Sequence, residues 1–155
     1  YIVSSEWRLL ATMNSFDKSS LYDLSYALSR RFSYIHIPAP EKEEIDPDLV
    51  EKYVDCWPAI SVTSDQIEAV TSIWRAVQSE RPLGPAIIRD LLEAAVGTDL
   101  TPGVIQHVLP QFEGLMNRTQ ESLLKQVVET GTVSSDEIER FGTQYFELTD
   151  LNLQE

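Results

Sequence analysis

The chain is poor in the residues that staple or metallate small proteins, with one cysteine, Cys56, and two histidines, His36 and His107, in 155 residues. A single thiol excludes an intrachain disulfide, and these three side chains have none of the spacings of a zinc site. No metal site is expected. Glycine is equally sparse. The six glycines are scattered and no G-x-x-x-x-G-K-[ST] occurs, so the sequence offers no backbone cradle for a polyphosphate. No apolar strand ends in paired acidic residues that could hold magnesium. No apolar run approaches the roughly 18 residues of a membrane span, and the N-terminus lacks the basic-then-apolar order of a signal peptide. A cytoplasmic location without membrane contact is the expectation. The first residue is Tyr1 and not methionine, which suggests a piece excised from a longer protein.

Positive charge is the other scarcity. Twelve Lys and Arg face 25 Asp and Glu, for a net charge of −13, and the only lysines are Lys18, Lys42, Lys52 and Lys125. The imbalance is uneven. Residues 1 to 40 carry Arg8, Lys18, Arg30 and Arg31 against three acidic side chains, whereas residues 41 to 155 carry 22 acidic against eight basic. Such a surface repels phosphate backbones, so residues 41 to 155 are not expected to contact nucleic acid. An acidic, lysine-poor surface also hints at a salt-loving host.

What is present is globular: 43% hydrophobic and 24% charged residues, enough for one domain or a small domain with part of a second. Trp7 to Met13 is apolar except for Arg8 and Thr12, the pattern of a strand buried on both faces, and Phe32 to Ile37 is a second such run. Between them Leu21, Leu24 and Leu28 recur at i, i+3, i+7, one face of a helix. Strand, helix, strand is a βαβ unit with a right-handed crossover. Pro38-Ala39-Pro40 stops the second strand. Glu41-Lys42-Glu43-Glu44 reads as a solvated linker or first turn, which places a domain boundary between residues 1–40 and 41–155.

After that boundary the pattern is helical. Leu49, Tyr53 and Trp57 share a face ahead of Pro58. Thr63 and Gln66 form a capping box before Ile67, Val70, Trp74 and Val77. Pro85 suits a first turn before Ile88, Leu91, Leu92 and Ala95, and Gly97 suits the stop. Thr101-Pro102 opens a helix that Pro110 ends or kinks. Arg118 to Thr130 is a helix closed by Gly131, and Ser134 with Glu137 caps a last one carrying Ile138, Phe141 and Tyr145. The fold class is mainly α: a partial α/β piece followed by a bundle of about six short helices.

In parallel sheets ligands sit beyond the carboxyl ends of the strands. Asn14 lies at such an end, where its amide could orient a water or meet a phosphate, or simply cap a turn. Its setting narrows the choice. The chain has Thr12-Met13-Asn14, then Asp17-Lys18, Ala27-Leu28 and Arg30-Arg31-Phe32. This stretch of about 30 residues resembles the segment from the first sensor to the arginine finger of the AAA+ ATPases, most closely the McrB-like branch. MoxR-like proteins are similar but usually have Gln at the position of Met13 and a single Arg before the Phe. Ser29 departs from the McrB-like pattern, which often has a third Arg there, so the number of working fingers stays open.

The resemblance implies that residues 1–40 are the last βαβ piece of an AAA+ core and residues 41–155 the helical lid. It implies that Asn14 is the first sensor and Arg31 the finger, with Arg30 the second choice. A planar, permanently charged guanidinium suits the charge that spreads over transferring phosphoryl oxygens. Read without the resemblance, Arg30 and Arg31 are a solvated pair complementing a helix end. In the lid, Arg89 follows the Gly84-Pro85 helix entry and is either the second sensor or a surface residue, with Arg81 as fallback. The cofactor implied is ATP or GTP with Mg in the intact protein, and none is expected on this chain, which lacks a phosphate loop and should not be an enzyme alone. The partners implied are neighbouring subunits of a homo-oligomeric ring and, from the McrB-like branch, a nuclease subunit. Two other readings stay open: a MoxR-like chaperone that remodels proteins, and a helical interaction module with no nucleotide role.

Overall fold

The computed structural model describes residues 4, 6–12, 30–95, 97, 99–149 and 151–153. The chain divides into two units, Tyr1–Ile37 and Pro38–Glu155.

The second unit is built from short helices whose ends are written in the local sequence. Glu41 N–H donates to Glu44 Oε2 at 2.7 Å, which closes the acidic run into a 3-10 turn, Lys42–Glu44. Helix α1, Pro47–Asp55, starts with proline at its first position and with the Asp46 carboxylate accepting from Leu49 N–H at 2.8 Å. It ends before Trp57, which still joins the expected face because its ring stacks on Tyr53 at 6.0 Å. Helix α2, Ser64–Gln78, carries the expected capping box: Gln66 N–H donates to Thr63 Oγ1 and Thr63 N–H to Gln66 Oε1. Helix α3, Pro85–Ala94, begins after Gly84. Three segments then follow without a break and together make α4: an α turn, Thr101–Gly103, a π turn, Val104–Val108, and a 3-10 turn, Leu109–Phe112. The break expected at Pro110 therefore takes the form of two changes of pitch. A proline cannot hold the i−4 register, and the widened turn ahead of it is where the hydrogen-bond ladder is rearranged. Helix α5, Asn117–Glu129, and helix α6, Ser135–Tyr145, complete the unit.

One hydrophobic core unites these elements. α2 packs against α1, α3 and α5, α3 against α4, and α5 against α6. Ile67, Val70, Ile73, Trp74 and Val77 line the buried side of α2, and Trp74 and Phe112 are among the largest side chains fully withdrawn from water. Buried polar groups fasten the connections. The Trp74 indole donates to Leu83 O at 2.9 Å; Gln78 donates to Pro40 O and accepts from Leu83 N–H. Gln120 donates to Phe112 O, and Thr101 Oγ1 accepts from Ser134 N–H. Among the described residues no buried side-chain nitrogen or oxygen is left without a partner, as a stable interior requires. Gly103 lets α4 cross α3 closely, since a Cβ there would collide with the Leu91 carbonyl oxygen.

The first unit differs from expectation. Residues 7–12 and 33–37 belong to no helix or strand, and there is no strand among the described residues. The βαβ piece is therefore not seen, and the described fold is mainly α. Leu10 is 93% exposed, Ile35 84% and Ile37 85%. The physical reason lies in what a two-faced strand needs: partners along its edges and cover on both faces. Among the described residues of either unit there is no strand to supply them. Met13, at the end of the first expected strand, and Leu21, Leu24 and Leu28, on the connecting helix, lie outside the described residues.

Candidate functional site

Asn14 lies outside the described residues, as does most of the stretch that carries the family resemblance. Arg30 and Arg31 are described. Both occupy an exposed turn ahead of residues 33–37, and neither makes an ion pair or side-chain hydrogen bond with another described residue. Phe32, directly after them, is 36% exposed.

In the helical unit, Arg89 sits on the second turn of α3. Its Nε and one terminal nitrogen both donate to Glu93 Oε1, at 3.0 and 2.9 Å, with both side chains about half exposed. An exposed i, i+4 pair of this kind contributes only about 0.3–0.5 kcal/mol, so little opposes turning the guanidinium toward another anion. Arg81 is half-buried beyond the end of α2, where its backbone N–H donates to Val77 O at 2.9 Å and its charge complements the helix dipole. The two arginines lie on either side of the Gly84-Pro85 entry. No relation between either of them and Arg30 or Arg31 is defined, because the two pairs belong to different units.

The remaining reactive side chains do not converge. The Cys56 thiol is exposed and donates to Lys52 O at 3.3 Å. His36 is exposed, and His107 is half-buried in the π turn. Among the described residues no three His, Cys, Asp or Glu side chains come together as metal ligands. Gly84, Gly97, Gly114 and Gly131 lie in separate connections, so they form no phosphate-binding loop. A shallow concavity of about 360 Å³ runs along α6, lined by Asp136, Glu139, Arg140, Thr143 and Gln144. All five belong to one helix. No helix among the described residues is long and apolar enough to cross a membrane.

The sequence pattern puts Phe141 and Tyr145 on the last helix and says nothing of Met116. The structure places Tyr145 at 49% exposure and Met116 at 77%. Helical spacing identifies a face but not where the neighbouring helix ends, so nothing in the sequence marked these positions as surface. The chain matches no protein-family model, no curated protein and no solved structure.

Proposed function

We propose that the chain is the C-terminal part of a McrB-like AAA+ NTPase, supplying the first sensor, the arginine finger and the helical lid to a ring that hydrolyses ATP or GTP. The observation that carries this reading is the ordered set Thr12-Met13-Asn14, Asp17-Lys18, Ala27-Leu28 and Arg30-Arg31-Phe32. The exposure of Arg31 on a turn, without a partner among the described residues, supports a role directed at another molecule. The helical unit that follows, with an easily released arginine near the start of α3, supports a lid. In this reading the first unit is the last βαβ piece of the ATPase core, completed by strands from the rest of the intact protein. The parts that bind nucleotide and Mg come from there as well, and the ring works in the cytoplasm.

Each assigned residue has a distinct task. Asn14 orients the water that attacks the terminal phosphate. Arg31 reaches the nucleotide held by a neighbouring subunit and stabilises charge that develops as the phosphoryl group transfers, with Arg30 as its reserve. Arg89 leaves Glu93 to hold a phosphate from the lid side.

Because the finger meets charge that appears in the transition state, Arg31→Ala in the intact protein should leave nucleotide affinity nearly unchanged. Turnover should fall roughly a thousandfold or more. Nucleotide binding measured beside steady-state hydrolysis tests this, and normal hydrolysis by the variant rules out the finger. The reading with no nucleotide role requires that the intact protein contain no phosphate-binding loop.

A further inference from the structure

After α6 the chain turns back on itself. Phe146 N–H and Leu148 N–H both donate to Gly142 O, at 3.2 and 3.3 Å. Between them Glu147 holds a left-handed φ of 56°, and among the described residues no other side-chain-bearing residue has a positive φ. This is the helix-closing position that glycine normally occupies, and a side chain there costs stability. Beyond the turn the chain forms a strap on α5 and α6. Leu148 and Leu153 are buried and Leu151 half-buried, whereas Thr149 and Asn152 are exposed. Gly142 is the seat of the strap: a Cβ built there would lie 2.7 Å from Leu151 Cδ2 and 2.7 Å from Leu124 Cδ1, with Leu148 Cδ1 at 3.8 Å. One turn earlier on α6, Leu153 N–H donates to Glu139 Oε2 at 3.2 Å. The leucines thus fill a gap that only a glycine leaves, behind a hinge residue ill suited to its conformation.

We infer that residues 148–153 exchange between two copies of the chain, the leucines of each filling the seat beside Gly142 and Leu124 of the other. The seat is already shaped to this segment. A second copy presents the same leucines and the same Leu153 N–H, so these contacts are remade between chains without any new surface. The hinge favours opening, because Glu147 leaves the left-handed region when the strap swings out, whereas the leucines lose nothing once they are seated again. Residues 147–149 and 151–153 belong to no helix or strand, so the strap swings out without melting one. Proximity opposes the exchange. A chain's own strap competes at an effective concentration of roughly millimolar, so exchange needs copies that are concentrated or held side by side. Two chains of net charge −13 also repel each other, a cost that salt screens. The inference uses no residue assigned to hydrolysis and stands apart from the nucleotide reading.

The test is the mass of the chain by sedimentation up to roughly millimolar concentration, joined to methyl NOEs from a sample reassembled from methyl-labelled and unlabelled copies. A dimer should appear as concentration rises, strengthen with salt, and show the Leu151 to Leu124 methyl contact between copies. Glu147→Gly should weaken the dimer about tenfold or more, because glycine relieves both hinges of the two closed chains. Leu151→Asp should abolish it. Glu147 is exposed, so the effect of the glycine variant stands even if Leu151→Asp disturbs the core. A chain that stays monomeric at that concentration would overturn the proposal. So would a dimer whose Leu151 to Leu124 contact lies within each copy, or one indifferent to Glu147→Gly.

Discussion

Neighbouring apolar residues meet opposite fates in the two units. In α3, Leu91 and Leu92 are both buried, whereas Leu10 and Ile35 in the first unit stand almost fully in water. Hydrophobicity does not separate these pairs. An α-helix satisfies its own backbone hydrogen bonds and needs cover on one face, which a neighbouring helix in the same unit provides. An extended run must borrow both its hydrogen bonds and its cover. The helical unit is closed in this sense, whereas residues 7–12 and 33–37 of the first unit belong to no helix or strand.

Mutations sharpen the contrast, beginning where the effect is greatest. Trp74 is fully buried, with its indole bonded to Leu83 O, so Trp74→Ala should cost about 3–5 kcal/mol of the helical unit's stability, read from urea denaturation. A cost under about 1 kcal/mol would mean that α2 is not the centre of the core. Gly103→Ala comes next. Its new methyl would fall against backbone at Leu91, which cannot swing aside as a side chain can, and about 1–3 kcal/mol of destabilisation is expected. Gly84→Ala, with nothing within 4 Å of the added carbon, serves as the control for glycine loss alone. At the low end, Ile35→Ser should change the stability of the helical unit by less than about 0.5 kcal/mol, since Ile35 is 84% exposed in the other unit. A loss of several kcal/mol would show that residues 33–37 are part of the helical core.

Much of the helical unit was legible in the sequence because its signals are local. The Thr63–Gln66 box, Pro47 and Pro85 at first positions, and Ser134 ahead of α6 each act within one turn of the residue that displays them. Helix ends were less exact. Stacking of Trp57 on Tyr53 imitates one more helical turn, so the face extends past the end of α1 at Asp55. The pitch changes of α4 were only half visible: Pro110 announced a break, but not the widened turn that precedes it. Strands were the poorest case, because Trp7 to Met13 displays the composition of a strand and composition does not supply the partners that a strand needs. The site divides in the same way. Arg31 was nameable from a motif, and its exposed turn is described, whereas the Leu153–Glu139 contact joins residues 14 positions apart and left no local trace.

The central claim is that Arg31 acts on a neighbouring subunit's nucleotide, while Asn14 acts within its own subunit. In the intact protein, Arg31→Ala subunits would be mixed with subunits unable to bind nucleotide, and hydrolysis followed as their ratio varies. The nucleotide-free subunits carry an intact Arg31 and can serve the sites of the first type, so activity should rise above that of either parent and peak at intermediate ratios. Mixed rings that form, by mass, yet hydrolyse no faster than the parents would contradict a finger acting between subunits and leave Arg30 and Arg31 as a solvated pair.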